Sequence, residues 1–206
     1  MMILSALVVA AALTSPVEDY FPLTPGTKWT YEDANGLQTI DEVGKPMDVG
    51  KGVMATPKLS TTSGHSAGSE LYRVDADMII LVGHFNAAAR QPLTLMDLPQ
   101  PVLKVDNGKA EWQYQGELAT SLGPVLLQVN GDSSKGPKRK ILDSEVDTLN
   151  VHVVSRIGND AQRIEVRDDA VYGKGIGLCE LTEVTKAQGQ TVKKVLKLVK
   201  FEPHQG

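Results

Sequence analysis

The chain has 206 residues, of which 41% are hydrophobic and 22% charged, with a formal net charge of −4. A chain of this length buries roughly 70% of its unfolded surface and can hold a core without covalent staples. The acidic balance and the 5% aromatic content argue against a nucleic-acid binder, which needs basic excess and stacking rings. The single cysteine excludes an internal disulfide and a multi-cysteine metal site.

Ile3 to Leu13 is an apolar run, followed closely by the small residues Thr14 and Ser15. It is shorter than the roughly 20 residues that span a bilayer, and it fits the apolar part of a secretory signal. We read residues 1–15 as a signal peptide, with cleavage between Ala12 and Glu18, and 16–206 as a single β-rich domain. The expected location is exported, periplasmic or extracellular, with no integral membrane span in the mature chain.

Beyond residue 20 the pattern has period two, broken by turn residues, which is the signature of strands. Lys28 to Glu32 alternates and Asn35-Gly36 supplies a hairpin turn into Gln38–Val43. Gly44 to Gly68 reads as a loop, with a short strand at Gly52–Ala55. Ser69–Val74 and Asp77–Val82 form the next strands. Ala87 to Arg90 suggests one helical turn. Val102–Val105 and Ala110–Gln115 flank an Asp106-Asn107-Gly108 turn. Ser133 to Pro137 reads as a linker or hairpin tip. Leu149–Val153 and Arg163–Arg167 alternate cleanly across a turn at 156–160. Leu178–Val184 and Thr191–Phe201 close the chain as a hairpin across Gln188-Gly189-Gln190. The expected fold is all-β: a single curved, mostly antiparallel sheet, or a partly open barrel or sandwich of short strands joined by hairpins.

The opening Tyr20-Phe21-Pro22-Leu23, Gly26 and Trp29-Thr30-Tyr31 resembles a bacterial exported protein family of unknown function, similar to DUF3108 and TapB-like proteins. Glu70–Val74, Trp112–Gly116 and the closing Tyr172-Gly173-Lys174-Gly175-Ile176-Gly177 segment follow in order. The resemblance implies export and a curved antiparallel sheet, and it brings no catalytic residues.

The chemistry-bearing residues offer no local catalytic signature. His65, His84, His152 and His204 lack metal-ligand spacing, so no metal and no cofactor are expected. Cys179 has no basic neighbour and reads as a small buried hydrophobe. Asp168-Asp169 reads as a solvated turn at a strand end. Lys193, Lys194, Lys197 and Lys200 suggest either a charged edge strand or attraction to an anionic surface. Trp29 and Tyr31 share one strand face, as do Trp112 and Tyr114. With Tyr172, these are the candidate ligand-binding residues, and a filled core is the competing reading for them. The expected function is a non-catalytic envelope protein that binds an apolar ligand or a protein partner on a curved sheet. The alternative is a hydrolase whose site is assembled from distant loops; its catalytic residues cannot be named from sequence.

Overall fold

The computed structural model describes residues 15–50, 52–85, 94–106, 109–120, 123–158 and 163–204. The apolar leader and the Ala87–Arg90 turn lie outside the described residues. The described residues form fifteen strands: β1 (Lys28–Asp33), β2 (Gln38–Val43), β3 (Met47–Asp48), β4 (Met54–Thr62), β5 (His65–Asp75), β6 (Met78–Phe85), β7 (Thr94–Lys104), β8 (Lys109–Thr120), β9 (Gly123–Lys135), β10 (Arg139–Ile141), β11 (Ser144–Val146), β12 (Thr148–Ile157), β13 (Ile164–Gly173), β14 (Gly177–Ala187) and β15 (Gln190–Glu202). Among the described residues no helix is long and apolar enough to cross a membrane.

The main sheet runs β7-β6-β5-β4-β2-β1-β15-β14-β13-β12-β9-β8, with β3 added to β4 and a separate β10–β11 hairpin. Every pairing is antiparallel, so the expected fold class holds. The sheet curls until its two edges approach, and the Ser133 hydroxyl on β9 donates to the Lys104 carbonyl on β7 at 2.6 Å. Among the described residues no ladder joins β7 to β8, so the sheet does not close into a barrel.

The tight turns follow local sequence. Asp33 accepts hydrogen bonds from the Asn35 and Leu37 amides, and Gly36 takes a φ of 79° that few other residues tolerate. Curling brings opposite parts of one sheet into a common core. Tyr72, Ile79, Leu81 and Leu103 from β5–β7 pack with Trp112, Leu149, Val151 and Ala170 from β8, β12 and β13. The segment before β1 fills the lower end of this core: Val17 is fully buried, and Tyr20, Phe21 and Leu23 pack against the same cluster. Ion pairing of Asp19 with Lys174 at 3.1 Å and donation by the Gly175 amide to the Asp19 carbonyl hold that segment in place.

Several expectations are corrected. Gly44 to Gly68 is mostly strand: it contains β3, all of β4 and the start of β5, and it places His65 on β5. Ser133 to Lys135 ends a thirteen-residue strand, β9, rather than forming a linker. The lysine-rich β15 lies between β1 and β14 and is not an edge strand. Asp168-Asp169 sits in the middle of β13, not at a strand end. In β4 the inward positions carry polar residues, and in β9 the inward series Leu127, Val129 gives way to Gly131 and Ser133, so the usual alternation is masked.

Candidate functional site

Residues opposite one another across antiparallel strands share a face, so the registers resolve the inner surface into rows. One row joins Trp112, Gly131, Val153, Asp168, Glu183 and Lys194. The next joins Tyr114, Val129, Ser155, Val166, Thr185 and Val192. A third joins Gly116, Leu127, Ile157, Ile164 and Ala187. The two upper rows are mostly apolar, interrupted by Ser155 and Thr185, and are covered on the β9 side, where Leu127 and Val129 are buried. They are open on the β13–β15 side, where Ile164 is 38% and Val192 63% exposed. This is a trough on the same face as the core.

Two buried polar atoms in the row below it, Trp112 Nε1 and Asp168 Oδ1, have no hydrogen-bond partner among the described residues. Burial, with the nearby Glu183 and Asp169 charges, pushes the Asp168 carboxyl up to about 6. Trp112 lies flat across Gly131, where a Cβ would collide with the indole. The indole N–H is therefore carried over β9 toward β12 and β13.

The other half of the inner face holds a charged cluster that is buried at Lys58 and Asp41 and open to solvent at Glu70, whose side chain is 40% exposed. Lys58 on β4 reaches Asp41 Oδ2 on β2 at 3.2 Å and Glu70 Oε2 on β5 at 3.3 Å. Its side chain is 18% exposed, and that of Asp41 is 9% exposed. Ser60 Oγ donates to Asp41 Oδ1 at 2.6 Å, and the Tyr72 hydroxyl donates to Glu70. The Lys58 ammonium lies 5.5 Å from the centre of the Tyr72 ring. Burial alone would lower Lys58, but Tyr72, Glu70 and Asp41 hold it well above the usual lysine value. Burial pushes Glu70 up, and the adjacent Lys58 and the Tyr72 hydroxyl outweigh it, leaving the carboxyl below its usual range.

Of the sequence-derived candidates, Trp29, Tyr31 and Tyr172 converge with Phe21, Pro22 and Lys58 around a small cavity of about 40 Å³. That volume holds a few waters at most. Trp29 and Tyr31 are 5% and 4% exposed, and the Trp29 indole donates to the Ile176 carbonyl at 2.5 Å. Burial raises the Tyr172 hydroxyl to about 12. Trp112 and Tyr114 share the inner face of β8, away from that cavity, and Trp112 is 6% exposed. The five residues therefore divide between two places. The Lys58 cluster escaped sequence reasoning because its three charged members, Asp41, Lys58 and Glu70, lie one each on β2, β4 and β5; one signal was a lysine alternating with serine and threonine in Lys58-Leu59-Ser60-Thr61-Thr62.

Two surface depressions lie on the outer face. One of about 610 Å³ is lined by Arg156, Arg163, Glu165 and Lys186, and another of about 310 Å³ by Asp132, Ser134, His152 and Asp169. His152 Nδ1 lies 2.8 Å from Asp169 Oδ1 at the exposed surface. Among the described residues no hydroxyl or thiol is hydrogen-bonded to a histidine, so this pair has no nucleophile in contact. Cys179 is buried beneath the β10–β11 hairpin, with burial raising its thiol to about 11, where it is almost wholly protonated at neutral pH.

No known family model matches the chain, and no curated protein matches it. Two solved structures are similar over 89% of this chain. One is a Parabacteroides distasonis protein named a "putative lipoprotein", 12% identical, covered over 98% of its length, with a TM-score of 0.43. The other is a Bacteroides fragilis protein named a "putative exported protein with YmcC-like fold", 8% identical, covered over 99%, with a TM-score of 0.42. Likeness at this level assigns neither a family nor an activity.

Proposed function

We propose that this is an exported, non-catalytic envelope protein that binds a small amphiphile in the trough at the open end of its curled sheet. The observation that carries the reading is the coincidence of two features on one face. Partly exposed apolar side chains (Ile157, Ile164, Val166, Val192) border a row with an unpartnered indole N–H and an unpartnered carboxyl oxygen. Unpartnered buried polar groups cost about 1–3 kcal/mol each, which a ligand hydroxyl or carbonyl would recover. The apolar rows would take the hydrocarbon part and gain about 25 cal/mol per Å² of surface removed from water. The Ile3–Leu13 run supports export.

The test is displacement of an environment-sensitive fluorescent fatty acid from the purified protein, with native mass spectrometry to detect co-purifying amphiphiles. Ile164→Asp and Val192→Asp, both at partly exposed positions, are expected to abolish probe binding while leaving the thermal transition in place. Probe binding that is absent in the unaltered protein, or unchanged in both variants, rejects the reading.

A further inference from the structure

The wall that carries the trough is apolar inside and cationic outside. On the outer face one row carries Arg156, Glu165 and Lys186, and the next carries Arg167 and Lys193. The other positions of those two rows are uncharged, and Arg163 lines the same depression. Five cations therefore stand against one carboxylate, on a chain whose formal net charge is −4. Glu165 is shared by Arg156 at 3.3 Å and Arg167 at 2.9 Å, which fixes both guanidinium groups but cannot cancel both charges. Arg163, Lys186 and Lys193 are exposed and have no ion-pair partner among the described residues. Acids return in the outer rows further down, at Asp132, Asp169 and Glu180. The excess positive charge is thus confined to the end of the wall where the trough opens. There Arg163 adjoins Ile164 and Lys193 adjoins Val192, the two exposed apolar residues of the inner face.

We propose that this end of the β12–β15 wall docks on an anionic lipid surface, with the open end of the trough against the headgroups. Opposed apolar and basic faces are what hold an interfacial element in the headgroup layer. Lipid phosphates lie against the outer side, and hydrocarbon meets Ile164 and Val192 on the inner side. A soluble polyanion matches the basic face alone and leaves the apolar one in water, so the pairing of the two faces favours lipid. Each basic side chain close to an anionic membrane raises partitioning roughly fivefold. The attraction fades within about 8 Å at physiological salt, so only cations at the very end of the wall contribute. The docking is independent of whether the trough holds an amphiphile.

Co-sedimentation of the purified chain with lipid vesicles tests this. Equimolar phosphatidylcholine and phosphatidylglycerol should carry the protein down at low salt and release it at about 1 M, where the screening length falls to about 3 Å. Vesicles of phosphatidylcholine alone should retain little. Arg163→Glu, Lys186→Glu and Lys193→Glu combined should lower binding to the anionic vesicles at least a hundredfold, while Lys186→Arg with Lys193→Arg should keep it. Lys135→Glu, Lys138→Glu and Lys140→Glu combined make the same change in net charge at the opposite end of the sheet and should leave binding in place. Circular dichroism melts check that each variant is folded. Equal sedimentation with neutral and anionic vesicles overturns the proposal, as does equal loss of binding in the two triple variants. Absence of vesicle binding also overturns it, and capture of inorganic polyphosphate in that case would assign the patch to a soluble polyanion instead.

Discussion

Asp168 is the residue whose titration reports on the trough. Its carboxyl is raised from 3.8 to about 6, with burial as the main cause. An acid raised on folding binds its proton more tightly in the folded state. Its contribution to stability is therefore fully present below the unfolded value of 3.8 and lost as pH rises through about 6. Asp168→Asn removes that dependence. The expected result is a melting temperature that falls less between pH 4 and pH 7 in the variant than in the unaltered protein, read by circular dichroism across a pH series. Equal slopes in the two proteins contradict it. Glu70 works in the opposite sense. Because Lys58 and the Tyr72 hydroxyl outweigh burial and hold it low, its stabilisation is present above its ordinary value of 4.5 and is lost as pH falls through its lower folded value.

At the scale of elements, β8 and β9 show how large and small residues are matched across a ladder. Trp112 lies over Gly131 across the ladder, and Tyr114 lies over Gly116 two residues along its own strand. Gly131→Ala is expected to destabilise the fold by about 1–3 kcal/mol through overpacking against the indole, measured by urea denaturation. The segment before β1 behaves as part of the core although it is no strand. Val17→Ala should cost about 2 kcal/mol, the scale of removing a fully buried valine side chain, while the neighbouring exposed Pro16→Ala should change stability little. These elements also explain what could be read beforehand. β1, β2, β12, β14 and β15 were legible because Trp29, Tyr31, Val43, Val151 and Leu181 point inward between polar neighbours, and because Asn35-Gly36 and Gln188-Gly189 mark their turns. β4 was not, because its inward residues are Lys58, Ser60 and Thr62, which bond to Asp41 and Glu70, to Asp41, and to Thr39 respectively instead of packing as hydrocarbon. β9 was not, because its inward series ends in Gly131 and Ser133, made small by the indole above one and the seam beside the other. The aromatic candidates were correctly placed on common strand faces. That Trp29 and Tyr31 would meet Lys58 depended on a crossing of β1, β2 and β4 that alternation cannot report.

For the whole molecule, the sheet ranks its own parts by how firmly they are held. β15 is hydrogen-bonded on both sides, to β1 and to β14. β7 and β8 each have a ladder on one side only, to β6 and to β9. Amide hydrogen exchange should therefore be slowest in β14, β15 and β1 and fastest along β7 and β8; uniform protection around the sheet contradicts this ordering. The unpaired seam has a mechanical meaning. A closed barrel has a circumference fixed by its ladders, and widening it breaks backbone hydrogen bonds. This sheet resembles a split ring hinged at one end of its slit: four residues join Lys104 of β7 to Lys109 of β8 beside the Ser133–Lys104 contact, and the edges can part toward the far end while every ladder stays intact. Its bore is adjustable at low energetic cost away from that joined end.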